Sequence, residues 1–96
     1  MPGFVYVDGE LVQRISEGVL RESWDCLWKE VNERLGTSFA DAEGEELSGV
    51  LLTQFVDMVE AYVQGPSGGE TRDALTELVD ICRRQAEVGA TVWIET

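Results

Sequence analysis

The sequence predicts a mainly α-helical domain: three to four helices around one buried central helix, with a small sheet built from short strands at the two chain ends. Three observations lead there. The stretch Leu47 to Val63, LSGVLLTQFVDMVEAYV, places Leu47, Val50, Leu51, Leu52, Phe55, Val56, Met58, Val59, Tyr62 and Val63 on one apolar arc, which spans roughly 220° at about 100° per residue. One interface cannot bury an arc that wide, so this helix, covering about residues 44–64, is expected to be packed on two or more sides. Residues 4–7 and 91–95 are short runs rich in β-branched and aromatic residues at opposite ends of the chain, and a pair of such strands makes a minor sheet. Finally, 96 residues with 44% hydrophobic content suffice for one core, so residues 1–96 read as a single small globular domain.

Taken in order, Phe4-Val5-Tyr6-Val7 is a strand stopped by Asp8-Gly9. From Glu10 the period changes. Leu11, Val12, Ile15 and Val19 share one helical face, and Asp8 can serve as the N-cap. A second stripe, Leu20, Trp24, Leu27, Trp28, Val31 and Leu35, is out of phase with the first by about 150° if one straight helix carries both. A break or strong kink between Gly18 and Ser23 resolves the conflict, with Ser23 and Asp25 capping a helix that Gly36 ends in the left-handed conformation. Thr37 to Glu46 is a polar connection in which Phe39 anchors to the core and the acids lead into the positive end of the central helix. Gly65-Pro66-Ser67-Gly68-Gly69 follows as a loop, with Ser67 and Glu70 at capping-box spacing. Thr71 to Val88 is the last helix, with Ala74, Leu75, Leu78, Val79, Cys82 and Ala86 on its apolar face and Gly89 as its stop. The alternation of Thr91-Val92-Trp93-Ile94-Glu95 then makes the closing strand, whose parallel or antiparallel pairing stays open.

Charge and composition exclude more than they assign. Nineteen acids against seven bases, with no His, give a formal net charge of −12. A phosphate backbone is bound by Lys and Arg displacing its counterions, so nucleic acid is excluded as a direct partner and a basic protein is expected instead. No basic segment precedes an apolar run near the start, and no stretch is long and apolar enough to span a bilayer, so a cytoplasmic protein with no membrane association is expected. In that reducing compartment Cys26 and Cys82, both on apolar-periodic positions, read as small core residues and not as a disulfide.

Without His, the Ser-His-Asp and Cys-His arrangements and imidazole metal sites are all missing. Two thiols more than fifty residues apart offer no zinc spacing, and Glu43, Glu45 and Glu46 lack the pattern of a calcium loop. The loop glycines are followed by no Gly-Lys-Ser/Thr element and hold no phosphate. The expectation is therefore a non-enzyme with no metal and no cofactor. Three Trp residues in so short a chain instead suggest recognition, because aromatic side chains inside a charged rim are typical interface anchors. Trp28 reads as core. Trp24 borders the apolar arc of its helix, and Trp93 lies on the strand face opposite Val92 and Ile94.

Val7-Asp8-Gly9-Glu10, Glu22-Ser23-Trp24-Asp25-Cys26-Leu27-Trp28 and Glu87-Val88-Gly89-Ala90-Thr91-Val92-Trp93-Ile94 resemble short pieces of the barstar family of ribonuclease inhibitors. The resemblance covers about a quarter of the chain. It implies a small acidic α/β fold with a strand at each end, which plugs a nuclease active site with an acidic helix. Asp25 falls on a family acid that reaches the enzyme. Lys29 stands where a second acid is expected, the aromatic-glycine loop before the helix is missing, and the family's middle strand meets the helical pattern of Leu47 to Val63.

The function expected from these features is that of a non-catalytic acidic binding protein, an inhibitor or immunity-type protein that masks a basic surface on a partner. Its expected contacts are Trp24, Asp25, Glu22, Glu33, Asp41, Glu43, Glu45, Glu46 and Trp93.

 The acids Glu22, Asp25, Glu33, Asp41, Glu43, Glu45 and Glu46 are expected to steer the approach, with Trp24 as the apolar anchor among them. The alternative is a self-associating structural or regulatory domain, a homodimer formed through the edge of the terminal Trp93 strand.

Overall fold

Asp8 and Gly9 turn the chain back on itself. Both have positive φ, 54° and 77°, the backbone of a two-residue hairpin turn whose twist matches the flanking strands. The computed structural model describes residues 2–41, 43–65 and 68–96. In it the hairpin joins β1 (Gly3–Val7) to β2 (Glu10–Ile15), so the segment from Glu10, expected as a helix capped by Asp8, is a strand. Asp-Gly between two β-rich runs is a strong short-range hairpin signal, and here it overrides the short helical periodicity of Leu11, Val12, Ile15 and Val19.

The helix begins only after Ser16, whose side chain accepts a hydrogen bond from the Val19 N–H at 3.2 Å. The expected break between Gly18 and Ser23 is therefore absent. The phase conflict is resolved by the change from strand to helix at Ser16, and helical backbone runs on from Glu17 to Leu35. Within it, α1 (Glu17–Ser23) passes through a π-helical turn (Trp24–Trp28) into α2 (Lys29–Leu35). A π turn accommodates an extra residue and rotates the face that follows. Ser23 sits at its start: the hydroxyl donates to the Val19 carbonyl at 2.6 Å and accepts from the indole N–H of the fully buried Trp28 at 2.9 Å. Gly36, at φ 71°, ends α2 in the left-handed conformation. Cys26, expected in the core, is turned out to solvent by the π turn, whereas Cys82 is buried.

After α2, the Asn32 side chain holds the connection. Its amide donates to the Phe39 carbonyl at 3.1 Å, and its oxygen accepts from the Thr37 hydroxyl at 2.7 Å and the Phe39 N–H at 2.9 Å. Phe39 thereby enters the core against Trp28 and Phe55, with ring centroids 5.0 Å and 5.8 Å away. Leu47, expected in the central helix, belongs instead to β3 (Glu45–Leu47), so Glu45 and Glu46 lie in a strand and not at a helix N-terminus. Helix α3 (Gly49–Gln64) follows, then α4 (Gly69–Glu87) and β4 (Val92–Glu95). The expected capping box of Ser67 with Glu70 involves a residue outside the described ones.

The four strands form one antiparallel sheet in the order β2-β1-β4-β3. Its inner face, with Val5, Gln13, Ile15, Leu47, Val92 and Ile94, is buried beneath the helices. Gln13 reaches from β2 to donate to the Ala74 carbonyl on α4 at 2.7 Å. The expected mainly helical fold around a central helix is thus overturned: the architecture is α+β, with helices on one face of a four-stranded sheet. Helix α3 is one-sided, burying Leu52, Phe55, Val56 and Val59 while Val50 is 73% exposed. The 220° arc fails as a burial argument because its flanks, Leu51, Met58, Tyr62 and Val63, are only half-buried. Strand β4, moreover, has β1 on one side and β3 on the other, so the Trp93 strand offers no free edge for the expected homodimer; β2 lies at an end of the sheet. Among the described residues no helix is long and apolar enough to cross a membrane.

Candidate functional site

The side chains that leave the core on the other face of the sheet form the most distinctive surface of the molecule. Cross-strand pairing aligns Leu11, Tyr6, Trp93 and Glu46 in one row, with Arg14, Phe4 and Glu95 in the next. Alternation places these residues opposite the buried Val5, Val92 and Ile94. In β2 the strand skips a residue: Val5 pairs with Gln13 and Tyr6 with Leu11, leaving Val12 as the bulge. The bulge lets Gln13 face inward while Leu11 faces outward beside Tyr6.

Trp93 organises this face. Its indole N–H donates to Oε2 of Glu95 at 2.9 Å, and its ring lies across Gly44. A Cβ at position 44 would fall 2.5 Å from Cε2 of that ring, so any larger residue there displaces the indole. Beside the ring is an open recess of about 340 Å³ lined by Tyr6, Asp8, Gly9, Glu46, Thr91, Trp93 and Glu95. Three of those seven residues are carboxylates and none is a cation. In the adjacent row the Arg14 guanidinium stands over the Phe4 ring, 5.5 Å from its centroid.

The other expected contacts do not converge here. Trp24, half-buried, and the exposed Asp25 line a separate groove of about 500 Å³ with Glu17, Leu20, Arg21, Ala40 and Thr96. No lining residue is shared by the two recesses. The Ala40 N–H, on backbone with φ 72°, donates to the Thr96 hydroxyl at 2.8 Å and closes one wall of that groove. Arg21 on its rim is already paired with Glu17 at 3.0 Å. Glu22 faces away from both, accepting from the Thr71 hydroxyl at the start of α4 at 2.8 Å. Burial, with Cys26 and Glu22 adding to it, holds the Tyr62 hydroxyl above its ordinary range. Glu33 is exposed on α2. Glu45 turns back to accept from the Ser38 N–H, and the Asp41 N–H donates to the Ser38 carbonyl at 3.0 Å, so both belong to the folded connection. Glu43 is exposed just before Gly44.

Of the nine expected contacts, the sheet face thus gathers Trp93 and Glu46, and adds Tyr6, Asp8 and Glu95, which were not among the expected contacts. The signal for Tyr6 and Glu95 was present: each lies two residues from another outward-facing position, Phe4 and Trp93, on its strand. The role of Gly44 had no local signal. No group of three or more His, Cys, Asp and Glu side chains suited to a metal ion is found among the described residues. In comparison with known proteins, the chain matches no family, no curated protein and no solved structure.

Proposed function

We propose that this is a non-catalytic acidic binding protein of the inhibitor or immunity type, acting in the cytoplasm, which masks a basic surface of a partner protein through the outer face of its sheet. One observation carries the reading: the sheet face turned away from the helices presents the half-buried Phe4, Tyr6 and Trp93 between Asp8, Glu46 and Glu95. Aromatic anchors supply contact area, and the surrounding acids, in a chain of net charge −12, supply attraction and selectivity for a basic partner. The barstar-like end segments support the same class of function. A second reading, self-association, is favoured by a different observation: β2 ends the sheet, with Leu11 44% and Val12 41% exposed.

The test starts from a partner recovered with the intact protein from cells of its source and measures binding kinetics at low and high salt. Association should slow about tenfold or more as salt rises, because electrostatic steering is screened. Trp93→Ala should mainly speed dissociation, Glu46→Gln should mainly slow association, and Trp24→Ala should change neither. Salt-independent association, or a Trp24→Ala variant weaker than Trp93→Ala, would move the contact surface elsewhere.

A further inference from the structure

The recess beside Trp93 has a shape and chemistry more selective than a general acidic surface. Tyr6 and Trp93 are directly paired neighbours on β1 and β4, and Trp93 and Glu46 are directly paired on β4 and β3. An aromatic wall therefore stands beside a carboxylate across adjacent strands. The hydrogen bond from the indole to Glu95 and the close approach of Gly44 fix the ring position. Oε2 of Glu95 accepts that hydrogen bond, and Glu95 itself lines the recess. Glu46 is exposed, and neither its side chain nor that of Asp8 has a hydrogen-bond or ion-pair partner among the described residues.

We propose that this recess receives one guanidinium group, the side chain of an arginine on the basic partner; the inference rests on the sheet-face reading above. The charge complementarity is one-sided, since Asp8, Glu46 and Glu95 line the recess and no lining residue is cationic. The same face already shows the interaction on a smaller scale, where the Arg14 guanidinium covers the Phe4 ring. The next row of the sheet has the larger indole and the phenol ring but no cation of its own. A planar guanidinium can stack on the indole while its N–H fork meets the carboxylates, whereas an ammonium group is a compact, strongly hydrated point charge that cannot do both. The recess is therefore selective for arginine over lysine.

The experiment uses the intact protein, labelled with ¹⁵N, and two capped peptides that differ only in carrying arginine or lysine, compared at constant ionic strength. The Trp93 indole N–H signal is assigned by its disappearance in Trp93→Phe. The arginine peptide is expected to shift that signal together with the backbone amides of Tyr6 and Glu46, and to bind about fivefold or more tightly than the lysine peptide. Glu46→Gln, a change at an exposed side chain, is expected to weaken the arginine peptide by about fivefold while leaving the rest of the spectrum in place. Equal affinity for the two peptides at this face would overturn guanidinium selectivity while leaving the sheet-face reading intact. Shifts centred on the Trp24 groove, or spread evenly over the acidic surface without Trp93, would overturn both.

Discussion

Cys26 and Cys82 show how far one residue type can diverge within a small fold. Cys82 is fully buried on α4, and loss of solvation pushes its thiol from 9.0 up to about 12. Cys26 is exposed on the π turn. A thiol reagent at neutral pH should therefore label one cysteine quickly in the folded protein and the second only on unfolding; two fast thiols would show that α4 does not enclose Cys82. The same burial makes stability depend on pH. Because the folded pKa is raised above the unfolded one, the unfolded chain loses this proton first as pH rises. The thiol's contribution is then complete below about pH 9 and is lost between about 9 and 12, at up to about 1.4 kcal/mol per pH unit. Cys82→Ala should flatten that alkaline limb. An unchanged slope would assign the limb to other groups.

At the level of elements, the π-helical turn and α3 decide which apolar side chains are used. A regular α-helix carrying Leu20, Trp24, Leu27, Trp28, Val31 and Leu35 would present one continuous stripe. With the π turn the buried set is Val19, Leu20, Ser23, Leu27, Trp28 and Val31, and Trp24 is left on the groove. Ser23 is tolerated in the interior because its hydroxyl serves both the Val19 carbonyl and the Trp28 indole. Helix α3 puts Phe55 into the ring cluster with Trp28 and Phe39 and leaves Val50 in solvent. Phe55→Ala should accordingly cost about 3–5 kcal/mol in chemical denaturation, through lost burial and the cavity left behind. Val50→Ser should stay within about 0.5 kcal/mol of the parent. Comparable costs at the two positions would mean that α3 is packed on both sides after all.

For the whole molecule, excess negative charge outweighs the local pairing. Arg21 with Glu17, Arg34 with Glu30 and Arg83 with Glu60 are surface pairs, each worth about 0–1 kcal/mol and weakened by salt. Against them stands a net charge of −12 on a chain with a radius of gyration of 11.9 Å. That radius is comparable to the Debye length of about 10 Å at 0.1 M salt, so the acids repel one another across the molecule at low ionic strength. Adding neutral salt should raise the thermal midpoint and, by the same screening, ease self-contact along β2. A midpoint that falls with salt would show that the surface pairs outweigh the repulsion.

The sequence by itself determined the features that depend on neighbouring residues. The Asp8-Gly9 turn, the left-handed stop at Gly36, the last helix and the alternation that sends Trp93 to the face opposite Val92 and Ile94 are all local consequences of backbone preference and period. The carboxylate excess is likewise a property of composition. Tertiary structure decided what depends on pairing across the chain. Glu45–Leu47 became a strand because β4 was available to pair with it, although the apolar stripe running on into α3 gave that segment a helical period. Glu10–Ile15 became a strand because the hairpin set it beside β1. The meeting of Tyr6, Glu46, Trp93 and Glu95 on one face, with the indole resting on Gly44, required three strands far apart in sequence to lie side by side. Local propensity is a sum over near neighbours, whereas a sheet face is made by long-range registers, and for that physical reason the candidate site was only partly legible before the strands were paired.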